Sequence, residues 1–142
     1  MYTADLNNLE LMEAWANEDE SLRMRVTFPV FHAVGAKSTA LVYFELEPGD
    51  RVGMHTDSAE EILLILDGRA EATVGDERGT LESGSIAIVP ALEPHDLRNI
   101  GQSTLRVAGF FSSNAVVSVF EHALQPLGGR VVGTPHPELQ PA

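Results

Sequence analysis

The sequence predicts an all-β protein, an antiparallel sandwich or barrel with one short N-terminal helix. Beyond residue 22, about nine or ten short segments are rich in β-branched and aromatic residues, the composition of strands. Some of these segments alternate apolar and polar positions. In residues 69–74, for example, Ala70, Ala72 and Val74 alternate with polar neighbours, which indicates one buried face and one solvated face. Turn residues, mainly Gly, Pro, Asn and Asp, separate the segments.

The helix is predicted over residues 5–20. Leu6, Leu9, Met12 and Trp15 recur at three-residue intervals and would form an apolar stripe. Asp5 is a suitable N-cap residue, because its carboxylate can accept hydrogen bonds from the first free backbone N–H groups. We therefore expect this helix to pack on the outside of a sheet.

The strands follow the helix in one continuous region. They are predicted at residues 23–31, 39–48, 62–66, 69–74, 79–82, 86–89, 103–112 and 115–124, and a further extended segment opens at His95. The strand at 86–89 is expected to be buried. The chain of 142 residues is thus predicted to be one domain, with a helical segment at 1–22, a barrel at 23–124 and an extended Pro- and Gly-rich tail at 125–142.

Composition limits the classes of partner. The chain has 21 acidic and 9 basic residues, a formal net charge of -12, and no basic patch, which disfavours nucleic acids and anionic membrane surfaces. Cysteine is absent, so no thiolate can bind a metal or attack a substrate. No apolar run approaches the roughly 20 residues of a membrane span, and the N-terminus lacks the basic region of a secretory signal. A cytoplasmic location is expected.

The stretch from residue 49 to residue 68 contains the first candidate ligands. His55, Asp57 and Glu61 are all odd-numbered, so they can share one face of extended chain if the loop between them keeps the alternation, whereas Glu60 would face away. One imidazole and two carboxylates form a metal-ligand set that still lacks a second nitrogen. His95, in the stretch from residue 84 to residue 99, supplies it.

The two stretches resemble the two motifs of the cupin superfamily. The first motif is Gly, five residues, His-x-His, three or four residues, Glu, six residues and Gly. This chain matches it at Gly49, His55, Glu61 and Gly68, and has Asp57 where the second histidine usually stands.

The second motif is Gly, five residues, Pro-x-Gly, two residues, His, three residues and Asn. The chain matches it at Gly84, Pro90, His95 and Asn99, and Leu92 replaces the usual glycine. The resemblance implies a double-stranded β-helix, the jelly-roll barrel of the cupins, and covers roughly the central third of the chain.

The four candidate ligands, His55, Asp57, Glu61 and His95, leave several alternatives open. If Asp57 fails to reach the metal, two histidines and Glu61 remain as ligands. If Glu61 swings away, the set becomes the His-x-Asp…His pattern of non-haem iron oxygenases. Asp57 could instead be a loop cap, with the metal held by the other three residues. A further alternative is a degenerate cupin that has lost its metal, with Asp57 as a sign of that loss. The donor set favours Fe(II), with Mn(II), Ni(II) or Zn(II) as further candidates.

Three functions compete at this point. The first is a metal-dependent enzyme acting on a small organic molecule, with oxygenase or dioxygenase chemistry ahead of isomerase or decarboxylase chemistry. The second is a non-catalytic module that binds a small molecule or a metal, and the third, least favoured, is a structural protein. Substrate contacts are predicted on the inner strand faces, at a largely apolar set: Tyr43, Leu63, Leu97, Phe110 and Phe111.

Self-association is also predicted. Residues 62–66 are five consecutive apolar residues, although a barrel strand needs only its inner face to be apolar. The outer face would then be covered by the N-terminal helix or by another subunit, and a homodimer is expected.

Overall fold

The computed structural model describes residues 1–134, which form twelve β-strands and one short 3-10 turn at His32–Val34. No described helix is long and apolar enough to cross a membrane. The strand bounds are β1 Met12–Ala16, β2 Asp19–Val30, β3 Ala40–Leu46, β4 His55–Asp57, β5 Glu61–Asp67, β6 Arg69–Val74, β7 Glu77–Glu82, β8 Ile86–Val89, β9 His95–Asn99, β10 Leu105–Phe111, β11 Val117–Leu124 and β12 Gly129–Gly133.

The strands form two six-stranded sheets that pack face to face. One sheet has the order β1-β2-β3-β10-β5-β8 and the other β12-β11-β4-β9-β6-β7. All the strand pairs are antiparallel, and the chain crosses repeatedly from one sheet to the other. This arrangement is consistent with a jelly roll and confirms the predicted all-β antiparallel class.

The core lies between the two sheets and follows the alternation of the strands. In β10, Leu105, Val107 and Phe111 are buried, and Ile65 of β5 and Ala70 of β6 are buried from the two different sheets. Burying a large aliphatic side chain stabilises a fold by about 1.5–3 kcal/mol. These inward positions therefore hold the sheets together, while residues between them face outward.

The predicted N-terminal helix is wrong, because β1 and β2 form an antiparallel hairpin there. The inward residues of β1 are Ala14 and Ala16, which are buried but too small to stand out in the sequence. Trp15 lies on the other face, with the guanidinium of Arg23 5.5 Å from its ring centroid. The three-residue spacing joined two loop leucines to Met12 and Trp15, which lie on opposite faces of β1, so it did not reflect a helix.

The C-terminal segment also differs from the predicted tail. Gly129–Gly133 forms β12, which pairs with β11 from Val117↔Gly133 to Leu124↔Gly129 and so extends the second sheet. The remainder of the predicted tail, 135–142, lies outside the described residues.

The outer face of β5 and β8 is not covered within the described chain. Ile62 is 42% exposed, and Ile86 and Ile88 of the edge strand β8 are 66% and 64% exposed. The strand at 86–89 is therefore only partly buried, contrary to the sequence prediction. The N-terminal helix, one of the two covers expected for residues 62–66, is absent from the described part of the chain.

Candidate metal centre

The two motif histidines meet because β4 pairs with β9. His55 and His95 are direct partners in that antiparallel pair, and their ring centroids lie 4.1 Å apart. Asp57 is two residues further along β4 and therefore shares the inward face with His55. Glu61 begins β5 in the opposite sheet and points across the interior toward His95. All four predicted residues thus lie at one place between the sheets.

Both imidazoles are held with Nε2 directed into this place. His55 Nδ1 lies 2.7 Å from the carbonyl oxygen of Gly53, and His95 Nδ1 lies 2.8 Å from that of Glu93. A carbonyl oxygen can only accept, so each Nδ1 carries the hydrogen and donates it. Hydrogen bonds of this kind fix the orientation and tautomer of metal-binding histidines, leaving the Nε2 lone pair for the ion.

Asp57 is oriented by a single hydroxyl. Ser118 of β11 donates to Asp57 Oδ1 at 2.5 Å, and Ser118 and Asp57 are register partners in the β4–β11 pair. The other carboxylate oxygen, Oδ2, is buried without a hydrogen-bond partner, as is His95 Nε2. These two atoms lie 3.0 Å apart without the alignment of a hydrogen bond. Buried polar atoms are rarely left unpaired, and a cation bound between these two atoms would satisfy both.

The geometry of the donor atoms fits a metal ion. His55 Nε2 lies 3.7 Å from Asp57 Oδ2. His55, Asp57 and His95 each offer one donor atom, and these three atoms lie within 4.8 Å of one another. Ligands about 2.0–2.2 Å from one ion and at right to tetrahedral angles are separated by about 3.0–3.5 Å. Only small side-chain adjustments would be needed, so these residues fit a divalent transition metal.

Glu61 lies beside this group of three. Its Oε1 is 3.5 Å from His95 Nε2, and its side chain is buried, whereas Glu60 is exposed, as the alternation predicted. The carboxylate lies over Gly109 of β10, where an added Cβ would clash with Glu61 Oε2 and with Val42. The glycine therefore makes the space that Glu61 occupies. From this position Glu61 can serve either as a fourth ligand or as an acid–base group.

The electrostatics of the site favour a cation. Burial lowers the pKa of His55, and the neighbouring His95 lowers it further. Burial opposes a charge on His95 too, but Asp57 and Glu61 outweigh it and raise its pKa to about 10. Burial raises the pKa of Glu61 to about 7. Burial alone would raise the pKa of Asp57 too, but contacts with His95, His55 and Ser118 outweigh it and lower that pKa. The two carboxylates that favour a positive charge on His95 would also favour a divalent ion bound beside it.

Residues of β11, of β9 and of the loop before β4 support the candidate ligands. The ring of Phe120 in β11 stacks on His55, with centroids 4.6 Å apart and planes inclined by 14°. Asp96 of β9 accepts a hydrogen bond from the N–H of Gly53, whose carbonyl holds His55, and it also pairs with Arg51 at 2.7 Å. This chain of contacts fixes the loop before β4 and, through it, the His55 ring.

The site closes one end of a cavity of about 370 Å³ between the sheets. Three of the five predicted substrate residues, Leu63, Leu97 and Phe111, line it. The other two predictions, Tyr43 and Phe110, are wrong because both side chains lie on the outer face of their strands. Tyr43 lines a separate cavity of about 140 Å³ and donates a hydrogen bond to Glu45, while Phe110 is 42% exposed.

Sequence reasoning missed Ser118, Phe120, Gly109 and Asp96. All four reach the site through strand pairs or turns that join distant parts of the chain, such as Ser118↔Asp57 and Gly109↔Leu63. No local motif marks them. Alternation carries a partial signal for Gly109, because it shares the inward parity of Val107 and Phe111.

Comparison with known proteins places the fold. The cupin domain model matches residues 42–112, which is half of the chain and includes every candidate ligand. No curated protein sequence matches. Among solved structures, the oxalate decarboxylase of Lactobacillus farciminis, solved as a formate complex, superposes with a TM-score of 0.70 at 19% identity, covering 82% of this chain and 34% of that one. This chain therefore spans about a third of the decarboxylase.

Two further structures resemble the chain over most of their length. A protein from Acidithiobacillus ferrooxidans, provisionally assigned as a sugar phosphate isomerase, has a TM-score of 0.65 at 18% identity, covering 84% of this chain and 80% of that one. The polyketide cyclase RemF from Streptomyces resistomycificus has a TM-score of 0.64 at 19% identity, with 78% of each chain covered. Likeness at this level of identity concerns the fold alone. Both motifs occur at their expected spacing, the family model matches half of the sequence, and the candidate site lies between the two sheets. The chain therefore belongs to the cupin superfamily.

Proposed function

We propose that the protein is a metal-dependent cupin enzyme that acts on a small organic molecule by oxygenase or dioxygenase chemistry. The observation that carries this proposal is the convergence of two Nε2 atoms and one unpaired carboxylate oxygen at the buried end of a cavity. His55, Asp57 and His95 would hold the ion, with Glu61 as a fourth ligand or a neighbour. When bound, Fe(II) would supply a Lewis acid with open coordination positions and the redox capacity to react with O₂.

The residues of the chain have separate roles in this proposal. The carbonyl groups of Gly53 and Glu93 keep the two imidazoles in the tautomer that binds metal. Ser118 holds Asp57 so that its free oxygen faces His95. The apolar wall of the cavity keeps water away from the ion and strengthens the electrostatic contacts there.

A second candidate is a metal-dependent reaction that needs no O₂, such as isomerisation or decarboxylation. The observation that favours it is the position of Glu61, buried next to His95 but outside the group of three donor atoms. A carboxylate at that position can accept or donate a proton on a substrate held at the metal. Both candidates need an open coordination position for the substrate, and they differ in whether O₂ must also bind and react at the metal.

The test begins with protein purified without a histidine tag, stripped of metal and reloaded with Fe(II) under anaerobic conditions. Nitric oxide is then added as a probe of open coordination positions. The proposal expects one ion bound per chain and the high-spin iron–nitrosyl signal in electron paramagnetic resonance. Stoichiometric metal without a nitrosyl signal would refute the oxygenase proposal, and failure to retain any divalent metal would refute both candidates.

A further inference from the structure

The cavity next to the site has all its ionisable lining groups at one end. Its ionisable lining residues are His55, Asp57, Glu61 and His95, the candidate ligands themselves, and no lysine or arginine lines it among the described residues. The Ser118 hydroxyl is already used, because it donates to Asp57. Away from the site, the wall is aliphatic or aromatic except for Met12, Met24, Gly133 and one uncharged polar residue, Thr27.

The wall opposite the site is provided by both sheets and leads to the surface. Met24 and Phe44 are buried, while Phe28 and Phe31 are only partly buried. Exposure increases toward Met12 of β1 and Leu127 in the turn before β12, which are 44% and 52% exposed and line the same cavity. The mouth of the cavity is therefore also apolar.

The volume sets the size of an occupant. An apolar cavity of about 150 Å³ in another protein binds benzene, and small-molecule sites range from about 300 to 1,000 Å³. A cavity of about 370 Å³ has room for roughly two fused rings or a branched hydrocarbon of similar size.

Charge excludes a second class of occupant. Oxalate, a small dianion, would bind the ion through one oxygen of each carboxylate and leave its two outer oxygens, which carry much of its charge, against aliphatic and aromatic side chains. Burying a charge without a partner is costly, and the described wall offers no guanidinium or ammonium group to offset it. An apolar body would instead gain from leaving water.

From these observations we infer that the substrate is a largely apolar molecule of one or two rings, or of similar bulk, that carries its oxygen-donor group at one end. The donor group lies at the His55, Asp57 and His95 end, and the hydrocarbon body fills the cavity toward the mouth. This inference rests on the proposed function for the identity of the polar end. The apolar body is argued from the cavity alone.

The test uses phenol, 1-naphthol and oxalate as probes, with binding measured by calorimetry on the stripped protein and on the metal-loaded protein. We expect 1-naphthol to bind at least about tenfold more tightly than phenol, because each added apolar group that fits a hydrophobic pocket improves binding by about 10-fold or more. Oxalate should not displace 1-naphthol. Equal affinity of phenol and 1-naphthol, or displacement by oxalate, would overturn the inference.

A matched pair of variants on β12 controls for the location of the probe. Val132 lines the cavity, whereas its neighbour Val131 is 66% exposed on the other face. Val132→Phe should weaken 1-naphthol binding by about tenfold or more, and Val131→Phe should leave it unchanged. Ala14→Leu, which fills the cavity from β1, provides a second variant if Val132→Phe does not fold. Unchanged 1-naphthol binding in a folded cavity-filling variant would overturn the inference.

The design separates this inference from the proposed function. If the protein holds no metal but 1-naphthol still binds and is lost in Val132→Phe, the apolar substrate class stands and the metal-enzyme proposal fails. If metal and nitric oxide bind but oxalate is preferred to 1-naphthol, the metal-enzyme proposal stands and the substrate class is wrong.

Discussion

Replacing Asp57 with asparagine should distinguish a metal ligand from a structural carboxylate. Asparagine has nearly the same shape, and its carbonyl oxygen can still accept the hydrogen bond that Ser118 donates to Asp57 Oδ1. What is lost is the negative charge and the strong donor oxygen at Oδ2, which faces His95 Nε2 at 3.0 Å. A structural role limited to the Ser118 contact would therefore survive this change, while metal binding would not.

The expected loss follows from the number of ligands. Asp57 supplies one of the three donor atoms that lie within 4.8 Å of one another, and one of the two buried carboxylates at the site. Removing groups that only orient metal ligands costs about 10–100-fold in affinity. Removing a ligand should cost at least the upper end of that range, about 100-fold, which corresponds to about 2.8 kcal/mol of binding free energy.

The assay is a titration of tag-free, metal-stripped protein with Mn(II), followed by electron paramagnetic resonance, with the free energy of unfolding measured on the same samples. Glu61→Gln tests the second carboxylate, and Glu60→Gln is the matched control, because Glu60 is adjacent in sequence but exposed. We expect Asp57→Asn to lose affinity by about 100-fold, with Glu60→Gln unchanged. Wild-type affinity in Asp57→Asn together with a loss in Glu61→Gln would refute the assigned group and leave His55, Glu61 and His95.

Three further changes test other parts of the structure. Gly109→Ala should destabilise the fold by about 1–3 kcal/mol, because the new Cβ would clash with the Glu61 carboxylate. Adding Glu61→Ala should restore part of the lost free energy of unfolding, measured by chemical denaturation. Leu92→Gly should stabilise the protein by about 0.5–1 kcal/mol, because Leu92 is exposed and has a φ of 67°, which L-residues adopt only at a cost. Leu92→Ala, the control, should give no such gain. If the predicted homodimer forms through the exposed outer face of β5 and β8, Ile62→Glu with Ile88→Glu should convert a dimer to a monomer in light scattering, and a monomeric wild type would refute the dimer.

The convergence of the candidate ligands could be predicted from the sequence because they obey two local rules. The spacing of the motifs selects His55 and His95, and strand alternation separates Glu61 from Glu60. The same alternation separates the two adjacent substrate candidates, Phe110 and Phe111, since consecutive residues of a strand face opposite sides. Only one of the two can therefore line the cavity, and it is Phe111.

The N-terminal hairpin could not be predicted in the same way. Its inward residues, Ala14 and Ala16, contribute little hydrophobicity, while the large residue between them, Trp15, faces Arg23 on the outside. The pattern of large apolar residues therefore indicated the wrong period. What determines the hairpin is the pairing of β1 with β2 and the burial of its small residues against the opposite sheet, which are tertiary effects that override local propensity.

The pairing of β4 with β11 bears on why a carboxylate stands where the second motif histidine usually does. Asp57 has a short arm, and without an anchor its two oxygens could rotate away from His95. Ser118, 61 residues away in sequence, is its register partner and fixes Oδ1, so that Oδ2 alone faces the imidazoles. A side chain that served only as a loop cap would instead direct its oxygens to nearby backbone N–H groups. The contact that orients Asp57 as a candidate ligand is therefore provided by the sheet, and the sequence around Asp57 carries no sign of it.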